Sequence, residues 1–143
     1  MKDSPRIVVD TREQLPWTFP HDSIVGTLKT GDYSLEGFED RVCVERKSLS
    51  DAYGTLGKGR ERFVRELGRM ESFDLALIVI ESTLPEFIMH PPKYSRAHPK
   101  GVANQWITLG AKHKAEVQFP GGREWAEVYA YRRLMQWWKY HGA

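Results

Sequence analysis

Leu75-Ala76-Leu77-Ile78-Val79-Ile80 is an unbroken apolar run of strand length. A strand with one wet face alternates apolar and polar residues, so a run without a polar member predicts an inner strand covered on both faces. Such a strand needs helices above and below its sheet, and the flanking sequence supplies them. Upstream, Phe63, Val64, Leu67 and Met70 fall on one face of a helix expected from about Arg60 to Ser72. Downstream, Leu84 to Met89 reads as a short helix ended by His90-Pro91-Pro92. A helix over Gly101 to Lys112 carries Val102, Trp106 and Leu109 at helical spacing. A short strand over Ala115 to Phe119 and a long helix from about Arg123 to Tyr140 complete that half. Towards the N-terminus, Arg6 to Asp10 reads as a buried strand ending in an acid and Ile24 to Lys29 as a weaker strand. Gly31 to Leu35 is a short strand or bend, and Glu36 to Asp40 a hairpin connection into a strand over Arg41 to Lys47. Ser48 or Ser50 is placed to cap a short helix through Tyr53, and Gly54 to Gly59 is a flexible loop. Strands alternating with helices, with hairpin strands early, predict an α/β fold: a central mixed sheet with helices on both faces.

The 143 residues favour one domain over 1–143, with no repeat, low-complexity tract or linker. No apolar run approaches the ~18 residues that span a bilayer, so no membrane partner is expected. The start, Met1-Lys2-Asp3-Ser4-Pro5-Arg6, lacks the apolar stretch of a signal peptide. Cys43 is the single cysteine, expected to be buried in its strand, and it can form neither an internal disulfide nor a zinc cluster. An intracellular, reducing setting follows as the expectation. Net charge is +2 and unevenly spread: residues 1–90 hold 12 Lys/Arg against 16 Asp/Glu, and residues 91–143 hold 9 against 3. That asymmetry suits a phosphate-facing surface or, equally, two ordinary solvated faces. His21, His90, His98, His113 and His141 show no metal-ligand spacing.

Acids gather at the ends of the early strands. Asp10 closes the first, and Asp32 follows Gly31, where glycine relaxes the backbone. Glu45 and Lys47 are two apart on a strand, so both leave the same face. Arg46 points the other way, though its carbonyl can reach the same site. Carboxylates held together bind Mg²⁺ or Mn²⁺, which prefer oxygen ligands, and a nearby cation stabilises charge on an attacked phosphate. An acid and a cation two apart are common as a solvated ion pair. The longer pattern Glu45-Arg46-Lys47-x-x-x-Asp51 arises by chance in about one chain of this length in several hundred.

Asp10-Thr11-Arg12-Glu13, Gly31-Asp32-Tyr33 and Glu45-Arg46-Lys47-Ser48-Leu49-Ser50-Asp51 together resemble the nuclease domain of the XPF/Mus-type structure-specific endonucleases. Their signature is Gly-Asp, a variable gap, then Glu-Arg-Lys-x-x-x-Asp; here the gap between Asp32 and Glu45 is 12 residues. Arg62-Phe63-Val64-Arg65-Glu66-Leu67 and the strand ending Ile80-Glu81 share the likeness, which is strong over residues 6–82 and topological beyond. The resemblance implies a restriction-endonuclease-like three-layer α/β/α fold and Mg²⁺- or Mn²⁺-dependent hydrolysis of DNA phosphodiesters in repair or recombination. Residue by residue, it implies Asp32 and Glu45 as metal ligands beside the Arg46 carbonyl and Lys47 as the catalytic cation. Asp10 and Glu13 would hold the metal or its waters, and Arg46 and Asp51 would complete the site. For Arg12 and Arg62, substrate contact and support of the carboxylates are both open. Longer members carry helix-hairpin-helix modules that grip branched DNA; none follows here, and the expectation is a nuclease domain alone.

Other DNA contacts are expected from Lys58 and Arg60 in Gly57-Lys58-Gly59-Arg60, and from Lys93, Arg96 and Lys100 in a loop that also holds Tyr94 and His98. Each stretch also reads as a plain solvated turn. The last helix carries Trp125, Tyr129, Tyr131, Trp137, Trp138 and Tyr140, more aromatics than one buried stripe accommodates. A homodimer through this helix, with Trp106 contributing, is expected, and a recruiting protein is a further possible partner. Two other functions compete: a non-catalytic DNA-binding or partner-stabilising module of the same fold, and a Holliday-junction resolvase or restriction-type nuclease.

Overall fold

The computed structural model describes residues 4–142; Met1, Lys2, Asp3 and Ala143, and with them the start read above for a targeting signal, lie outside the described residues. The six strands are β1 (Ile7–Asp10), β2 (Ser23–Gly26), β3 (Tyr33–Leu35), β4 (Val42–Ser48), β5 (Leu75–Glu81) and β6 (Glu116–Gln118). They form one sheet in the order β2-β1-β3-β4-β5-β6. β3 runs antiparallel to both β1 and β4, while β1–β2, β4–β5 and β5–β6 are parallel. The helices are α1 (Leu49–Thr55), α2 (Arg60–Met70), α3 (Leu84–Met89), α4 (Pro99–His113) and α5 (Arg123–Trp137), the last running into a π-helical turn, Trp138–Gly142.

The apolar run around Ile78 is β5, and six of its seven residues are buried. Its alternate side chains feed two separate cores. Leu75, Leu77 and Val79 join Ile7, Val9, Tyr33 and Val44 under Ala126, Ala130, Leu134 and Trp137 of α5. Ala76, Ile78 and Ile80 join Cys43 under Phe63, Leu67 and Met70 of α2 and Val102, Trp106 and Leu109 of α4. The molecule is thus the three-layer α/β/α arrangement of the restriction-endonuclease-like fold. Local chemistry sets the helix starts. Ser48 is extended and its hydroxyl accepts the Asp51 N–H, capping α1, and Thr83 does the same for α3 through Glu86.

Two expectations need correction. β2 ends at Gly26, short of Lys29, because it is the edge strand: its side chains alternate between open and half-covered positions and Val25 is exposed. The aromatics of α5 do not form an outward stripe. Trp137 is buried, and Tyr129, Tyr131 and Trp138 pack on the same core, because α5 alone roofs one whole face of the sheet. Trp125 and Tyr140 remain exposed. Trp106 cannot join a dimer surface: it is fully buried and donates its indole N–H to the Ala52 carbonyl at 3.0 Å.

Candidate active site

The alternation of β4 divides its residues between the two cores. Cys43, Glu45 and Lys47 face α2, whereas Val42, Val44 and Arg46 face α5. Asp10 at the end of β1 and Asp32 just before β3 open onto the α2 side as well. Between these strand ends and α2 lies a cleft of about 410 Å³. Its floor carries Asp32, Glu45 and Lys47, one wall carries Asp10 and Arg12, and α2 supplies the other.

Gly31 makes the floor possible. Its φ of +83° is a left-handed conformation, and a Cβ there would stand 3.0 Å from the Cβ of Cys43. The backbone can therefore swing Asp32 inward, where its N–H donates to Val44 O and its Oδ2 accepts the Arg46 N–H at 2.8 Å. Burial, with Glu13 and Glu66 nearby, raises the Asp32 carboxyl to about 7. Glu45 is pushed well above the ordinary range by burial and by Asp32, while Lys47 opposes the rise. Lys47 Nζ lies 3.1 Å from Glu45 Oε2 and 5.0 Å from the Phe63 ring centre. Asp10 behaves oppositely. Burial alone would raise it, but hydrogen bonds from the Arg12 side chain and from the Leu28 and Arg12 backbone hold it below the usual value. Its Oδ2 accepts Arg12 Nε at 2.7 Å and its Oδ1 accepts the Leu28 N–H at 2.8 Å, so both oxygens are engaged.

Behind the floor, on the α5 side, a second polar network locks the β1–β2 loop. Arg46 donates to Glu81 at 3.1 Å, to Glu13 at 3.4 Å and to Leu15 O at 2.6 Å, and its guanidinium sits 5.4 Å from the Trp17 ring centre. The Trp17 indole N–H donates to Glu81, and its ring stacks on Tyr33 at 4.9 Å. The Tyr33 hydroxyl accepts the Trp17 backbone N–H and donates to Glu13. Glu13 lies where the network meets the cleft.

Of the residues expected in the site, Asp10, Arg12, Glu13, Asp32, Glu45, Lys47 and Arg62 line the cleft. Arg46 reaches it through its backbone alone, since its side chain serves the rear network. Asp51 is exposed in the first turn of α1 and outside the cleft lining. Lys58, Lys93, Arg96 and Lys100 are exposed and not among the lining residues, although Lys58 adjoins Gly59 at the cleft edge, and Arg60 is turned to Gln105 at 2.7 Å. Four residues escaped sequence reasoning. Glu66, Lys29 and Arg69 line the cleft, and Glu81 anchors the rear network. Glu66 carried a signal: with Arg62 and Arg69 it recurs at i+4 and i+7 on the face of α2 that also shows Phe63.

Asp32 and Glu45 suit a hard divalent cation in donor type, and their raised carboxyls mark two acids short of positive charge. Among the described residues, no three acid, imidazole or thiol groups stand together at coordinating separations. A bound ion would draw on this pair, backbone oxygen and water.

Among curated proteins, none matches the chain. Solved structures share its fold, two of XPF among them. XPF from Aeropyrum pernix superposes with a TM-score of 0.70 at 19% identity, covering 92% of this chain and 61% of that one. The same organism's XPF in complex with DNA gives a TM-score of 0.69 at 22% identity, covering 92% and 65%. The chain thus spans less than two thirds of either structure. The ERCC4 domain model matches residues 9–126, which include every residue on the cleft floor. The chain belongs to the ERCC4 domain family and is a nuclease-type module.

Proposed function

We propose that this chain is a divalent-cation-dependent DNA endonuclease, acting on branched, flapped or single-strand/double-strand junction DNA in repair or recombination. The observation that carries this reading is the floor of the cleft: two charge-starved carboxylates, Asp32 and Glu45, with the Lys47 ammonium beside them. Asp32, Glu45 and the Arg46 carbonyl would hold Mg²⁺ or Mn²⁺, and Glu66 adds a third carboxylate to the cleft, near enough to raise Glu45 further. The ion would polarise the phosphate and lower the pKa of an attacking water. Lys47 faces the place where charge builds on the phosphate, and its ammonium stabilises that charge. Arg12, clamped by Asp10, and Arg62, on the α2 wall, orient the strand entering the cleft. The DNA-bound similar structure supports nucleic acid as the partner.

Exposed Trp125 and Tyr140 keep a homodimer through the C-terminal helix part of the proposal, and light scattering that returns a monomer mass would remove it. The function is tested by incubating the protein with Mg²⁺ or Mn²⁺ and a panel of flaps, forks, four-way junctions and plain duplexes. Wild type is expected to cut at least one, and Asp32→Ala and Glu45→Ala none. If wild type leaves the whole panel intact, the enzymatic reading is wrong.

A further inference from the structure

Of the cations that line the cleft outside its floor, two, Lys29 and Arg69, have no part in the site as described. Arg12 is held by Asp10 and Lys47 by Glu45, but Lys29, Arg62 and Arg69 line the cleft without an ion pair among the described residues. Arg62 and Arg69 lie seven residues apart on one face of α2, about 10 Å along its axis. Glu66 falls between them. Lys29 approaches from the opposite wall, on the segment between β2 and β3, next to Thr30. Arg69 closes that end of the cleft, with its Nε 3.4 Å from the Thr30 hydroxyl. Two flexible cations, Lys29 and Arg69, thus line an acid-floored groove with Thr30 tying Arg69 to the Lys29 segment, and Arg62 stands one helical face-repeat away.

A bare acid floor repels DNA, so a strand crossing it needs cations on either side. The spacing along α2 matches about three nucleotide rises of one strand, at ~3.4 Å each. Salt-screened surface arginines commonly do nothing, and Arg69 also sits in the last turn of α2, where a cation favours the helix dipole. Lys29 has no such helical role, and its approach to the same spot distinguishes a ligand site from a helix-end charge.

We propose that Lys29 and Arg69, the latter steadied by the buried Thr30 hydroxyl, form a phosphate subsite for a second phosphodiester of the cut strand, with Arg62 holding the strand beyond the floor. This rests on the nuclease reading, since it takes the cut phosphate to lie over Lys47. A strand so held lies along α2, and the subsite fixes which linkage reaches the floor.

The test measures binding of a fluorescein-labelled forked DNA by anisotropy, with Ca²⁺ present and NaCl varied from about 50 to 200 mM. Each phosphate contact removed should flatten the log Kd against log [salt] slope by about 0.7–0.9. Lys29→Ala/Arg69→Ala removes one phosphate contact and is expected to flatten it by about 0.7–0.9 and to weaken binding most at low salt, with a single cooperative melting transition retained. Lys112→Ala, an exposed charge outside the cleft, should leave the slope as in wild type. Arg69→Lys in the intact Lys29 background should keep most of it. A double variant with the wild-type slope overturns the subsite. If wild type cuts while that slope is unchanged, the subsite alone falls. If wild type binds and loses slope in the double variant but never cuts, the subsite stands and the nuclease reading falls. If wild type does not bind the fork, both fall.

Discussion

Asp32→Asn should make the metal-free protein more stable, not less, and only above acidic pH. Asp32 is largely covered, and its carboxyl is raised from 3.8 to about 7, chiefly by burial. The folded state therefore holds the proton more tightly than the unfolded chain does. As pH climbs from about 4 towards 7, the unfolded chain gives up its proton freely while the folded one is forced to bury a charge, so stability falls through that window. A rise from 3.8 to about 7 corresponds to at most ~4 kcal/mol, at ~1.4 kcal/mol per tenfold change in proton affinity. Solvent in the open cleft, and the ability of Glu45 to carry the proton instead, reduce this to ~1–2 kcal/mol. Asparagine keeps the carbonyl that accepts the Arg46 N–H, so the substitution removes charge and little else. In EDTA, scanning calorimetry should show Asp32→Asn melting about 3–8 °C above wild type at pH 8, with almost no difference at pH 3, below the unfolded-state value. Mn²⁺ at pH 8 should raise the melting temperature of wild type and leave the variant where it was. A gain of the same size at both pH values, or a loss at pH 8, would refute the reasoning.

Three further outcomes follow from the same geometry. Lys47→Met should lower the cleavage rate at least ~100-fold while a circular dichroism spectrum shows the fold intact, because it removes the cation facing the phosphate. Glu81→Ala should cost ~2–4 kcal/mol in urea unfolding, since it leaves the mostly buried Arg46 guanidinium and the Trp17 indole without their shared acceptor. Gly31→Ala should cost ~2–4 kcal/mol by the same measurement, because alanine resists a φ of +83° and its Cβ would press on Cys43 at 3.0 Å.

The elements readable in the sequence were those that a single strong period controls. β5 announced itself by the run Leu75–Ile80 without a polar residue, and α2 and α4 by apolar residues at helical spacing; the structure buries Phe63, Leu67, Met70, Val102, Trp106 and Leu109. The site was legible in part because Glu45 and Lys47 share a strand face by arithmetic alone. What stayed hidden depends on which elements meet in space. Glu81 ends a strand that pairs in parallel with β4, Ser48 against Glu81, and only that register brings it to Arg46. Lys29 and Arg69 are forty residues apart and line one cleft because α2 lies beside the segment before β3, where Arg69 reaches Thr30. The aromatics of α5 divide for the same reason: Tyr129, Tyr131, Trp137 and Trp138 pack on the sheet, and only the fold shows that Trp125 and Tyr140 are the ones left exposed.

The fate of Asp10 bears most directly on where a cation would sit. By position it is as good a ligand as Asp32: an acid closing a strand at the mouth of the cleft. Its environment is the reverse. Arg12 and the backbone N–H groups of Arg12 and Leu28 already neutralise it, whereas Asp32 and Glu45 sit together with only the Arg46 N–H on Asp32 and the Lys47 ammonium against them. Carboxylates held apart in this way take different work: the satisfied one fixes geometry, and the starved ones attract charge. On the proposed reading Asp10 is the clamp that holds Arg12 and the Leu28 segment, and with it the approach to Asp32. Asp10→Asn should then weaken DNA binding through a loosened Arg12 while leaving the Mn²⁺-induced rise in melting temperature nearly intact. Asp32→Asn should do the opposite, keeping binding in Ca²⁺ near wild type and erasing the Mn²⁺ shift. If both variants lose the Mn²⁺ shift equally, Asp10 is a ligand after all and the division of labour drawn from its hydrogen bonds is wrong.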